Sequence, residues 1–152
     1  MSTHLAKVVW QFQGGEFTKG RYSREHTWSF DGGITVAASP TPAVVPAPWS
    51  NPAAVDPEEA FVASLSSCHM LTFLFVAAKA GFEVLRYEDN AVGMLTKNER
   101  GVPWISDVEL HPKIEFAGGK EPHGEQLEQL HHRAHDQCFI ANSVKTNVSV
   151  VP

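Results

Sequence analysis

Apolar and polar positions alternate in short runs toward both ends of this chain and give way to a long apolar block near its middle. Residues 7–12 (KVVWQF) alternate as a first strand, and Gly14-Gly15 marks a turn. Residues 22–30 (YSREHTWSF) predict a second strand, with Tyr22, Arg24, His26, Trp28 and Phe30 on one face. Asp31-Gly32-Gly33 is a hairpin signal, and residues 34–38 make the returning strand. The block at 56–81, DPEEAFVASLSSCHMLTFLFVAAKAG, predicts a long helix. Asp56 reads as its N-cap, Pro57 as the first helical residue, and Glu58 and Glu59 complement the positive helix end. Lys79 and Gly81 close it. Phe61, Leu65, Cys68, Thr72 and Phe75 follow one helical stripe. Most other positions are also apolar or small, so this helix is expected to be covered on several sides.

Beyond it, residues 83–96 alternate loosely as a strand, with a turn at 98–101. Val108, Leu110, Lys113, Ile114 and Phe116 predict another strand, bent at Pro112, and 118–124 a loop. Residues 125–138 predict a second helix with Leu127, Leu130, Ala134 and Cys138 on its apolar face. Asn142-Ser143 breaks the pattern, and Val144, Thr146, Val148 and Val150 alternate with polar residues as a last strand. The proline-bearing stretch 39–51 is an extended connector, with Trp49 docked on an apolar surface. Three strands, helix, two strands, helix and strand make an α+β fold with mainly antiparallel pairing, a single domain over residues 1–152.

Composition narrows the partners. The 152 residues carry a formal charge of -5 and no basic stripe, which argues against nucleic acid. The opening MSTHLAKVVW lacks the order of a secretory signal, and the apolar run 71–78 is ended by Lys79, too short for a membrane span. Two cysteines make no disulfide framework. The expected location is the cytoplasm, where a cysteine pair is redox-active, metal-binding or simply buried.

Both thiols lie on inward stripes of helices, so one reading is a pair of small buried hydrophobes. The other is a reactive thiolate with a resolving partner, cycling through sulfenic acid and disulfide. That chemistry needs a cation to ionise the first thiol well below the free value of about 8.5, because an apolar pocket alone has the opposite effect. Arg24 is the candidate, held in place by a glutamate. His131, His132 and His135 approach Cys138 along the second helix, but no acidic residue or second cysteine completes a zinc set, and a solvated face is expected, with His135 close to Cys138. His69 follows Cys68 directly, and neighbours on a helix point about 100° apart, so a Cys–His hydrolase dyad is not expected.

The segment DPEEAFVASLSSCHMLTFL, with its Pro-Glu pair ahead of the cysteine, and the later CFIANSVKTNVSV resemble the OsmC/Ohr family, the osmotically inducible and organic hydroperoxide resistance proteins. The resemblance covers most of the chain. It implies antiparallel sheets wrapped around central helices in an intertwined homodimer, with active sites drawn from both subunits. It implies thiol-dependent reduction of organic hydroperoxides: Cys68 attacks the peroxide, Cys138 resolves, and Glu58 orients an arginine. Arg24 matches that arginine, Arg21 being the other position the hairpin allows. A dithiol, such as a lipoyl protein, would regenerate the enzyme without cofactor or metal. Phe61, Leu65, Leu71, Phe73, Phe75 and Trp49 are expected to line the site and favour bulky or fatty peroxides. The Tyr22-x-Arg24-x-His26 strand and the Ser-Cys-His-Met helix look like an OsmC-like branch, and His69 departs from the apolar residue usual after the cysteine. On a straight helix Glu58 and Cys68 are about 15 Å apart, so either Arg24 bridges them or the pair meets across the dimer, and the latter is expected. The competing expectation is a non-enzymatic member that binds a small apolar ligand in the dimer crevice.

Overall fold

The computed structural model describes residues 1–151, which divide into two compact units, one ending at Ala60 and one beginning at Phe61. The first unit is built on an antiparallel meander. Strands β1 (Ala6–Val9), β2 (His26–Phe30) and β3 (Thr35–Ala38) lie in that order, with Val8 opposite Trp28 and Trp28 opposite Val36. The turn at Asp31-Gly32-Gly33 forms as expected, with Gly33 at φ 86 and its N–H donating to Phe30 O at 3.0 Å. The expected second strand is shorter: pairing starts at His26, and residues 22–25 stand outside it. The Arg24 N–H is taken by Trp49 O at 3.1 Å, so the connector, not a neighbouring strand, satisfies this backbone. The first strand likewise ends at Val9, leaving Trp10 and Phe12 beyond it.

The connector hooks back onto the meander. Ser39 is fully buried; its N–H donates to Val55 O at 3.0 Å and its Oγ accepts the Asn51 N–H at 2.8 Å. Helix α1 (Pro57–Lys79) then opens with a reciprocal cap. The Glu59 N–H donates to Asp56 Oδ1 at 2.7 Å, and the Asp56 N–H donates to Glu59 Oε2 at 3.2 Å. Gly81, at φ 80, follows its last turn.

In the second unit, β4 (Val84–Asp89) pairs antiparallel with β7 (Pro112–Phe116), and β5 (Val92–Lys97) pairs antiparallel with β6 (Pro103–Leu110). Strand β8 (Asn147–Val150) adds to β6 in parallel. Helix α2 (Glu125–Gln137) precedes it. Two single strands expected from sequence are therefore four. The stretch 83–96 breaks at Asn90-Ala91, and the one bent at Pro112 breaks at His111, so each half joins a different sheet. The side chain of Asp89 fixes both breaks: Oδ1 accepts the His111 N–H at 2.6 Å and Oδ2 accepts Ser66 Oγ at 2.5 Å.

α1 contributes to both cores of this unit. Phe73, Val76 and Ala77 pack with Phe82, Leu130 and Ala134; Leu65 packs with Val108 and Leu110. By length and composition α1 could cross a membrane, but its buried residues fill these two cores. The buried line runs through Leu65, His69, Phe73 and Val76 rather than along the expected stripe, and Phe75 is exposed.

Gly93 shows how closely β5 approaches α1. A Cβ there would lie 2.5 Å from Val62 Cγ2, and Val62 packs on the Leu65 core. Gly93→Ala is expected to lower stability by about 1–3 kcal/mol in urea unfolding, as overpacked cores do. Val62→Ala in the same chain removes the opposing atom and should recover most of the loss that Gly93→Ala causes.

Candidate active site

Two sulfurs meet in the second unit. Cys68 sits midway along α1 and is half-buried; Cys138 is the C-cap of α2, only 1% exposed, with its N–H on His135 O at 3.1 Å. The two thiols are close enough for Cys68 to perturb the Cys138 thiol, and adjacent backbone amides reach one sulfur each. The chain leaves α2 through a short 3-10 turn, Ala141–Ser143, and this turns successive amides onto sulfur. The Ile140 N–H donates to Cys68 Sγ at 3.5 Å and the Ala141 N–H to Cys138 Sγ at 3.4 Å. Asn142 Nδ2 ties the turn to α2 by donating to Asp136 O at 3.0 Å and Cys138 O at 2.9 Å. Burial pushes the Cys138 thiol up to about 11, and contact with Cys68 adds to this, against a weaker opposing pull from the amides of Ala141 and Ile140. Cys138 therefore keeps its proton at neutral pH.

Arg24 and Glu58 belong to the first unit. Arg24 is half-buried; its Nη1 donates to Gly20 O at 2.8 Å and Tyr22 O at 2.7 Å, and the guanidinium lies 3.8 Å from the centre of the Tyr22 ring. With Trp10, Phe17, Tyr22 and His26 it lines a cleft of about 480 Å³. Arg21 is exposed and paired with Glu16 at 3.0 Å. Glu58 Oε2 is buried without a hydrogen-bond partner. The expected apolar lining needs correction: Leu65 and Phe73 are closed inside the cores, and the aromatic surface beside Arg24 comes from Trp10, Phe17 and Tyr22.

The histidines divide into different roles. His132 is exposed and faces Asp136 at 3.5 Å. His69 is 1% exposed, turned away from Cys68, and its Nε2 lies 3.1 Å from His131 Nδ1 on α2. His131 and His135 also line a second cleft of about 490 Å³, with Ile114, Phe116, Leu127 and Val150. His131 is thus half-buried rather than on a solvated face. No sequence spacing announces this pair, because its members are far apart and meet only when the helices pack. Among the described residues no group of three or more His, Cys, Asp or Glu side chains is placed to hold a metal ion.

Both imidazoles are held down at about 4. For His69 the causes are burial, then His131 and His135; for His131 the cause is burial, against an opposing pull from Asp89. An unfolded chain takes up these protons below pH 6.5, the folded one only near 4, so the pair's contribution to stability falls with pH across that window. Urea unfolding of the wild type should show a loss of roughly 2–4 kcal/mol from this pair between pH 6.5 and 4, discounted because His131 is partly exposed. The loss should shrink by that amount when His69→Gln and His131→Asn are combined.

Known proteins share this fold. The family described as OsmC-like protein matches residues 50–152. No curated protein matches the chain. An OsmC-like protein of unknown function from Vibrio cholerae O1 biovar eltor is 53% identical over 99% of each chain, with a TM-score of 0.95. An organic hydroperoxide resistance protein from Elizabethkingia anophelis shares the fold at 21% identity and TM-score 0.71, over 99% of this chain and 93% of that one. A Bacillus subtilis organic hydroperoxide resistance protein does so at 21% identity and TM-score 0.61, over 96% and 94%. With that profile spanning most of its length and a close structural relative over nearly all of it, this chain belongs to the family of OsmC-like proteins.

Proposed function

We propose that this protein is a cysteine-based peroxidase that reduces organic hydroperoxides in a reducing compartment such as the cytoplasm. The observation that carries the reading is the convergence of Cys68 and Cys138 on one turn, where the Ile140 and Ala141 amides are directed at the two sulfurs. The Cys68 thiolate attacks the outer peroxide oxygen. An S–O bond forms, the O–O bond breaks, and the alkoxide takes a proton to leave as an alcohol. Cys138 then loses its proton and attacks the Cys68 sulfenic acid, forming the disulfide and releasing water. A dithiol reductant, of the lipoyl type, restores both thiols by exchange.

Arg24 is the activating cation in this reading. Its Nη1 is committed to two carbonyls and its plane to Tyr22, which presents the remaining guanidinium edge in a fixed orientation. Arg21, already paired at the surface, suits the role less. The unpartnered Glu58 Oε2 fits a carboxylate awaiting that guanidinium edge. Assembly into a homodimer would supply the encounter between Arg24 and Cys68. The exposed Val8, Val9, Trp10, Phe12 and Phe30 of the first unit support such an assembly, since a monomer in water gains nothing from them. The aromatic cleft beside Arg24 suits bulky apolar peroxides better than hydrogen peroxide.

Turnover of cumene and fatty-acid hydroperoxides with a dithiol, beside hydrogen peroxide, tests the reading. Cys68→Ser should lower organic peroxide consumption at least about a hundredfold with the fold intact, as removal of a nucleophile does. Cys138→Ser should still consume one equivalent and accumulate a trappable sulfenic acid. Unchanged consumption in Cys68→Ser would instead favour a ligand-binding protein with incidental thiols. Sedimentation of the wild type should give twice the chain mass.

A further inference from the structure

The two thiols are carried by α1 and by the end of α2, and among the described residues one side-chain hydrogen bond joins the two helices, set within apolar packing. Around it stand Phe73, Val76 and Ala77 of α1 and Leu130 and Ala134 of α2. The contact is His69 Nε2 with His131 Nδ1 at 3.1 Å. The ring planes differ by only 10° and the centroids lie 5.4 Å apart. That spacing matches the nitrogen gap plus the two ring radii, so the rings meet edge to edge in one plane. This is the geometry of a straight N–H···N bond, not of a face-to-face stack. Phe73 packs on His131 with centroids at 4.5 Å and braces it from the core side.

The position of the bond matters more than its strength. His69 immediately follows Cys68, and His131 stands two helical turns before Cys138, on the same side of α2. Apolar contacts let one helix slide or roll against another at little cost, whereas a single in-plane bond between buried rings has one good alignment. A shift of α2 by a fraction of a turn would break this bond and carry Cys138 off Cys68.

We propose that His69 and His131 are a positioning pair that registers α2 against α1 and so holds the Cys138 thiol on Cys68 for disulfide closure. The inference deepens the proposed function, since it concerns the closing step of the same thiols. Neither histidine touches the reacting sulfurs. The pair donates and accepts one proton between neutral rings, and the titratable groups that face it are His135 on the α2 side and Asp89 of β4, the latter already bonded to Ser66 and His111. Tyr87 of β4 packs on Phe73 and remains neutral, its hydroxyl raised by burial.

The test is the equilibrium of the reduced protein with oxidised and reduced glutathione, in which two protein thiols and one glutathione disulfide give the Cys68–Cys138 disulfide and two glutathione thiols. It reads the effective concentration of one thiol at the other and needs no peroxide. The double variant His69→Met, His131→Leu replaces both partners with apolar groups, which leaves no orphaned imidazole to unfold the protein. It should lower that equilibrium constant roughly ten- to hundredfold, as loss of alignment does, about 30 mV in potential for each factor of ten. His69→Gln with His131→Asn places amides where the bonded nitrogens stood and should restore the constant to within about threefold of wild type. Should the apolar double variant fail to fold, the amide pair and the single variant His131→Asn decide. Wild-type closure in the apolar variant, or a loss that the amides do not rescue, overturns the proposal. If the wild type forms the disulfide in a histidine-dependent way yet consumes no peroxide, the peroxidase reading fails and this one stands.

Discussion

A helix with apolar residues on most of its faces cannot be satisfied by one neighbour; one line of α1 packs into two separate clusters, around Leu65 and around Phe73, while Leu71 and Phe75 stay exposed. That packing fixes the rotation of the helix about its own axis. It turns His69 to the interior and against α2, and it leaves Cys68 half-buried at the edge of the packing, where a turn of backbone can reach it. The chemistry of this unit follows from excluded water. Desolvation is the largest cause of the raised Cys138 thiol and of both lowered imidazoles, and the neighbouring side chains are second to it.

Within the second unit, backbone dipoles meet the two sulfurs. Ile140 and Ala141 present amides from a turn that Asn142 fastens to the end of α2. Such donors are fixed before any reaction and need no reorganisation as charge develops on sulfur or oxygen. They do not outweigh burial at Cys138, which stays protonated.

The parts legible in the sequence were those set by local chemistry. Asp56, Pro57 and Glu59 announced the start of α1 because a capping box closes within one turn. Asp31-Gly32-Gly33 announced its hairpin, and the two cysteines stood in blocks distinctive enough to be read directly. What failed depended on distant partners. The strand containing Arg24 looked long because its alternation is regular, yet Trp49 takes the Arg24 amide. The breaks at residue 90 and residue 111 both trace to Asp89, whose bonds run to residues far along the chain. The wrong stripe on α1 has a similar cause: several faces are equally apolar, and the truly buried one contains a histidine, which reads as polar until His131 is beside it.

Asp89 carries a mechanical consequence. One oxygen grips the helix through Ser66, a turn-fraction from the cysteine, and the other grips the corner where β6 gives way to β7. Carboxylates in such bonds resist stretching more than neutral groups do. The side chain acts as a rivet through two plates: the helix cannot creep along its axis unless the sheet corner swings with it. Rigidity beside Cys68 is thereby imposed from a strand that carries neither sulfur.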